Sequence, residues 1–206
     1  MILTDRDILS ALIGGDIAIS PEPAFSAFSS TSLDLCLGPE LTLFRAISDL
    51  GGEAIDPGRK GFCYRSAMAR FTSPARIGAD GFDLAPQRMV LGWTAETVDL
   101  KLAARVAARV EGKSSLARFG LAIHVTAPTI HAGFAGRIQL EIVNHGPLPI
   151  RLRAGMRICQ LIVEQTSGIA ERGYAGQFQG QAPQDAAMRE PCAGRAKAPR
   201  GSTRGL

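Results

Sequence analysis

Glu141 stands where a carboxylate could do acid–base work. From Arg137 to Asn144 the chain alternates: Ile138, Leu140 and Ile142 fall on one face of a strand, and Gln139, Glu141 and Val143 on the other. With the aliphatic face against a core, Glu141 projects from the opposite face at mid-strand. A carboxylate so placed is either solvated on an open sheet, the usual case, or held in a pocket or subunit interface, where burial suits a carboxyl group to proton transfer near neutral pH. A second stretch, Gly112-Lys113-Ser114-Ser115-Leu116-Ala117-Arg118-Phe119-Gly120, sets two hydroxyls and two cations within six residues. If Ser114 and Ser115 open a helical turn, free backbone N–H groups point outward, and Ser114 and Arg118 share a face. That is a compact phosphate cradle, or else a serine N-cap followed by a solvated arginine; these residues by themselves fit both.

Other chemistries find little support. The zinc-dependent deaminases carry an H-x-E…P-C-x-x-C signature. Here none of His124, His131 and His145 is followed by x-Glu, and Cys36, Cys63, Cys159 and Cys192 form no C-x-x-C pair. His124 reads as a structural residue on a strand face and His145 as a turn residue before Gly146-Pro147. The four cysteines read as reduced thiols of a cytoplasmic protein. The net charge of +4 leans on Arg189, Arg195, Lys197, Arg200 and Arg204 near the end of the chain, so nucleic-acid binding gains no support. No apolar run approaches the roughly 20 residues of a membrane helix, and the N-terminus does not read as a secretory signal.

The elements that must position these residues are mostly short strands. Residues 4–14 read as a helix: Thr4 caps it, Asp7 completes a capping box, Gly14-Gly15 ends it, and Ile8, Leu9, Leu12 and Ile13 form its apolar stripe. Strand-like segments follow at 33–37, 41–46, 89–94, 121–127, 137–144, 150–152 and 157–164, whereas 103–111 suits a helix by its alanine content. Residues 47–80 are broken by Gly, Pro and charge, with Phe62, Tyr64 and Phe71 as anchors. Many short strands between Gly and Pro turns indicate an all-β sandwich or barrel. The 206 residues suffice for one sizeable core. A single domain is expected over 1–181, followed at 182–206 by an arm or disordered tail.

GKSSLARFGL followed by HVTAPTIHAGFAGRIQLEIVN strongly resembles the dCTP deaminase family of the dCTP deaminase/dUTPase superfamily. The family's run is G-R-S-S-L-A-R-x-G-L, then H-x-T-A, then I-D-x-G-[WF]-x-G and a strand ending in L-E. Further matches lie, in order, at Met1 to Asp5, at Ser32-Leu33-Asp34-Leu35-Cys36-Leu37-Gly38, at Leu91 to Val98, and at Tyr174 with Gln177-Phe178-Gln179-Gly180-Gln181.

The resemblance implies a distorted jelly-roll β-barrel of the dUTPase-like type, with a short N-terminal helix and an extended C-terminal arm. It implies a homotrimer with active sites between subunits, and zinc-independent hydrolytic deamination of dCTP, or a close deoxycytidine nucleotide, to dUTP and ammonia. Glu141 would be the catalytic base and acid, and the Ala127 carbonyl would orient the water and the exocyclic amine. Lys113, Ser114, Ser115, Leu116, Ala117 and Arg118 would hold the triphosphate. Gln139 and Leu140 would lie in the strand against the pyrimidine, and Phe134 against the sugar. Tyr174, Gln177 and Gln181 would close over the nucleotide, with Mg2+ accompanying the triphosphate and no metal held by the protein itself. The chain departs from the family pattern in three places: His131 stands for an aspartate, Gln177 for a lysine and Phe178 for a tyrosine. The alternatives are a dUTPase-like or bifunctional deaminase–pyrophosphatase, which His131 disfavours, and a non-catalytic trimeric nucleotide-binding protein, which Glu141 disfavours.

Overall fold

The computed structural model describes residues 1–183; the expected tail beyond Pro183 lies outside them. The chain opens with α1 (Asp5–Ile13). The expected capping box is present: the Asp7 amide donates to the Thr4 hydroxyl, and the Thr4 amide donates to the Asp7 carboxylate at 3.1 Å. The Thr4 hydroxyl also donates to the Asp7 carboxylate at 2.8 Å, and this bond first and the Thr4 amide second hold the Asp7 carboxyl below its ordinary pKa. The expected apolar stripe is narrower than its sequence, for Ile8 is buried while Leu9 and Ile13 are 42% and 80% exposed. One contact row suffices to dock so short a helix.

The rest is built of strands: β1 (Ile17–Ser20), β2 (Phe28–Ser29), β3 (Ser32–Phe44), β4 (Thr72–Arg76), β5 (Phe82–Leu84), β6 (Met89–Leu100), β7 (Val106–Gly112), β8 (Leu121–Ala122), β9 (Ala135–Asn144), β10 (Ile150–Leu152) and β11 (Arg157–Gln165). Two further helices, α2 (Tyr64–Phe71) and α3 (Ser114–Ala117), interrupt them. The main sheet runs β7-β11-β3-β6-β9-β8, with β1 also on β6, and β2 and β4 on β3; β5 and β10 pair separately. This is the expected distorted jelly-roll barrel.

Two long strands turn its corners. The first half of β3 pairs with β11, from Leu33 opposite Leu161 to Cys36 opposite Arg157. Its second half lies between β4 and β6, with the register shifting between Leu37 and Leu41. Gly38 sits in that shift, where a Cβ would overlap the Arg137 guanidinium. β6 shifts register against β9 between Trp93 and Thr97. Such irregularities bend a strand and increase its twist. Leu33, Leu35, Leu37, Val98, Leu100, Leu140, Ile142 and Leu161 fill the interior.

The segment expected as a helix at 103–111 is instead β7. Val106, Ala108 and Val110 are buried in strict alternation, and β7 pairs with β11 from Val106 opposite Gln165 to Gly112 opposite Cys159. Alanine-rich composition favours a helix, but the period-two burial and a waiting partner strand decide otherwise. The strand expected at 121–127 stops at Ala122. Cys36 and Cys159 are free thiols, and burial pushes the Cys159 thiol far up. Cys63 is disulfide-bonded, which corrects the expectation of reduced thiols there: spacing in sequence says nothing about the Cα separation a disulfide requires.

Candidate functional site

β9 presents its side chains as the alternation predicts. Ile138, Leu140 and Ile142 are buried in the core, while Arg137, Gln139 and Glu141 are half-buried on the other face. Eight register pairs hold β9 to β6, with Gln139 opposite Trp93 and Glu141 opposite Leu91. Opposed residues of an antiparallel pair share a face. Trp93 and Leu91, at 4% and 5% exposure, show that this face is covered. Glu141 is therefore not on an open sheet. Its carboxylate accepts a bond from the Val125 amide at 3.5 Å and lies 3.9 Å from the His124 Nδ1 atom. Ala127 follows in the same loop and is exposed. Leu140 is 1% exposed, so it meets the site face only through its backbone.

A cavity of about 730 Å³ lies on the covered face. Trp93, Gln139, Arg137 and Thr42 line it from the sheet, Tyr64, Arg65, Met68 and Ala69 from α2, and Gln177, Phe178, Gln179 and Gln181 from the C-terminal arm. Spacings of one, four and five residues place the α2 side chains on one face of that helix. Tyr64 stands edge-on to Phe178, with ring centroids 5.5 Å apart. Burial first, and the Glu141 carboxylate second, push the Tyr64 hydroxyl above its ordinary pKa.

The arm reaches this position by pairing with β9. The Arg137 amide donates to the Gln181 carbonyl at 3.0 Å, and the Gln181 side-chain amide donates to the Arg137 carbonyl at 2.9 Å. Gly136 permits the approach, because at its φ of 151° an added Cβ would stand 3.0 Å from the Gln181 nitrogen. Nearby, Tyr174 stacks on His131 at 5.5 Å and packs on Phe134 at 6.0 Å. Phe134 is buried and His131 exposed.

The helical turn expected to open at Ser114 is present as α3. Lys113, not a serine, is the N-cap of α3, and it makes no side-chain capping bond. Its ammonium lies 2.5 Å from Asp34, which is 7% exposed and also receives the Gln160 amide at 3.3 Å. Ser114, Ser115 and Ala117 are exposed and Leu116 half-buried. Arg118 is exposed and lines a separate cavity of about 620 Å³ with Leu116, Ala117, Phe119 and Leu148. Within one chain, then, Gln139, Gln177 and Gln181 converge on one cavity and His131, Phe134 and Tyr174 on a neighbouring cluster. Ser114, Ser115 and Arg118 join neither.

Several residues of this region take no site role from the sequence alone. Tyr64, Arg65 and Met68 fall in a segment with no clear period. Trp93 sits in the apolar run Met89-Val90-Leu91-Gly92-Trp93, whose continuity was the available signal of a strand covered on both faces. Arg137 donates to the Thr94 carbonyl at 2.6 Å and to Glu40 at 3.1 Å. His124, read as structural, stands beside Glu141. Among the described residues no three His, Cys, Asp or Glu side chains gather to hold a metal ion.

Comparison with known proteins agrees with this architecture. A family model described as dCTP deaminase-like matches residues 2–166. A protein of Rhodospirillum rubrum named dCTP deaminase is 39% identical over 177 residues, covering 85% of this chain and 88% of its own. One from Methanopyrus kandleri named dCTP deaminase, dUMP-forming, is 36% identical over 180 residues, covering 84% and 86%. The crystal structure of 2'-deoxycytidine 5'-triphosphate deaminase from Agrobacterium tumefaciens aligns with a TM-score of 0.59 at 26% identity over 79% of this chain. The match covers 47% of that longer chain, so this chain spans about half its length.

Proposed function

The chain belongs to the dCTP deaminase-like family, and from that premise we propose that it hydrolyses dCTP, or a close deoxycytidine nucleotide, to dUTP and ammonia without zinc. The observation that carries this reading is the half-buried Glu141 carboxylate on the covered face of β9, two residues beyond the Gln139 that lines the cavity. Water adds to C4 of the cytosine, N3 gains a proton, and the C4–N4 bond breaks to release ammonia. Glu141 takes the proton from the attacking water and passes it on, ending as it began. Gln139 and Gln181 offer amides that can donate and accept at the pyrimidine edge, and the Ala127 carbonyl accepts from the water and the exocyclic amine. Phe134 backs the sugar through Tyr174. Mg2+ enters with the triphosphate and neutralises part of its charge.

A homotrimer completes the site. Ser114, Ser115 and Arg118 are exposed and lie off the Gln139 cavity, so they serve best on a neighbouring copy's nucleotide. Phe119 and Leu148, 72% and 71% exposed, line the same cavity as Arg118 and offer apolar surface for such a contact. Sedimentation is expected to give a trimer, and a fully active monomer would contradict this.

The deciding experiment assays ammonia and pyrophosphate separately with dCTP and dUTP. Ammonia without matching pyrophosphate is expected from the wild type. His131 leans on Tyr174 at the surface, and its ring does not reproduce a fixed carboxylate that aligns water behind an α-phosphate. His131→Asp should therefore raise any pyrophosphate release. Stoichiometric pyrophosphate from the wild type would make the protein a bifunctional enzyme. Nucleotide binding with neither product would make it a non-catalytic binding protein.

A further inference from the structure

The cavity beneath α2 holds more positive charge than it neutralises. Arg45, Arg65, Arg76 and Arg137 line it against one carboxylate, Glu40. Glu40 is already shared, 3.1 Å from Arg76 and 3.1 Å from Arg137. The Arg45 Nε atom donates to the Thr72 carbonyl at 3.2 Å. Arg65 is half-buried, and its guanidinium makes no hydrogen bond or ion pair with any described residue. A guanidinium keeps its charge at physiological pH, and a cleft with one sign of charge between low-dielectric walls concentrates counter-ions. The same cavity also presents Trp93, Tyr64 and Phe178 as flat apolar faces, with Gln139 and Gln181 as amides. Flat faces with amides suit a base, and uncompensated guanidinium suits phosphate.

We propose that Arg65 is a polyphosphate-binding residue, so that α2 supplies a cation to the nucleotide bound in this cavity. The inference rests on the nucleotide reading above. It assigns a binding role to a helix whose sequence carries no recognisable nucleotide motif. It supplies a cation from within the chain, beside the Ser114, Ser115 and Arg118 that a neighbouring copy brings. Arginine suits the task because its planar fork can bond two phosphate oxygens at once.

Calorimetric titration of the wild type, Arg65→Ala and Arg65→Lys with dCTP, dCMP and deoxycytidine tests it, with Mg2+ present throughout. Arg65→Ala should weaken dCTP binding about 10- to 100-fold, as for loss of a charge-assisted hydrogen bond. It should weaken dCMP less and leave deoxycytidine unchanged, while Arg65→Lys recovers part of the loss. Wild-type dCTP affinity in Arg65→Ala would overturn the inference. So would equal weakening of all three ligands, because that marks a packing role rather than a phosphate contact. Ammonia release by the wild type is measured in parallel. Its absence, with the phosphate-dependent loss at Arg65 intact, would sink deamination and leave the anion site standing.

Discussion

β9 and the turn around α3 carry similar densities of ionisable and polar side chains, yet the fold treats them oppositely. β9 is locked by its register with β6, covered by α2 and the arm on one face, and packed on the core by the other. Its carboxylate sits among fixed neighbours. The turn at 113–118 leaves two serines and an arginine in solvent and ties its lysine to a buried aspartate. Preorganisation for chemistry comes from what surrounds a side chain, not from how many reactive residues a stretch contains. A half-buried carboxylate is held in place within one chain; an exposed turn leaves its side chains to solvent until a ligand or a second copy covers them.

The sharpest break of this contrast is at Glu141. Glu141→Gln should keep nucleotide binding and lose ammonia release by at least about 10²-fold, as expected for removing a general base. Near wild-type turnover would show that β9 is only scaffold. On the other side of the contrast, Arg118→Ala should weaken nucleotide binding by about 1.5–3 kcal/mol, the range for a charged hydrogen bond. Normal binding would mean that the turn is a solvated surface and nothing more.

Asp34→Asn probes the tie that distinguishes the turn. It leaves Lys113 and Arg157 without their shared carboxylate and should cost about 2 kcal/mol in chemical denaturation, less than a fully buried pair because both cations retain solvent contact. If nucleotide affinity rises while stability falls, Asp34 holds Lys113 away from phosphate. Unchanged affinity would make the pair purely structural. Gly38→Ala tests the support behind β9 by displacing the Arg137 guanidinium from Thr94 and Glu40. The overpacking should cost about 1–3 kcal/mol and lower the melting temperature.

The smallest effect serves as a control away from both regions. Arg151 holds the Asp83 carboxyl below its ordinary 3.8 through a side-chain hydrogen bond. A depressed carboxyl pKa contributes stability above the unfolded value and loses it as pH falls through the folded one. The melting-temperature gap between the wild type and Asp83→Asn should therefore be small at neutral pH and shrink as pH falls below 3.8.

Local patterns determined much of this protein by themselves. The capping box of α1, the alternation of β9, and the family motifs were all legible, because each depends on residues within a few positions of one another. Tertiary structure decided the rest. β7 is a strand because β11 pairs with it, although its alanines favour a helix. The region 47–80 gives no period, yet it supplies α2, whose side chains roof the cavity only because β6 and β9 lie beneath them. Lys113 reads as a phosphate-facing cation, and only the fold sets Asp34, distant in sequence, beside it. His124 reads as structural until its loop returns to Glu141. In each case the deciding contact joins segments far apart in the chain. Its energy belongs to the pair, and neither segment alone encodes the outcome.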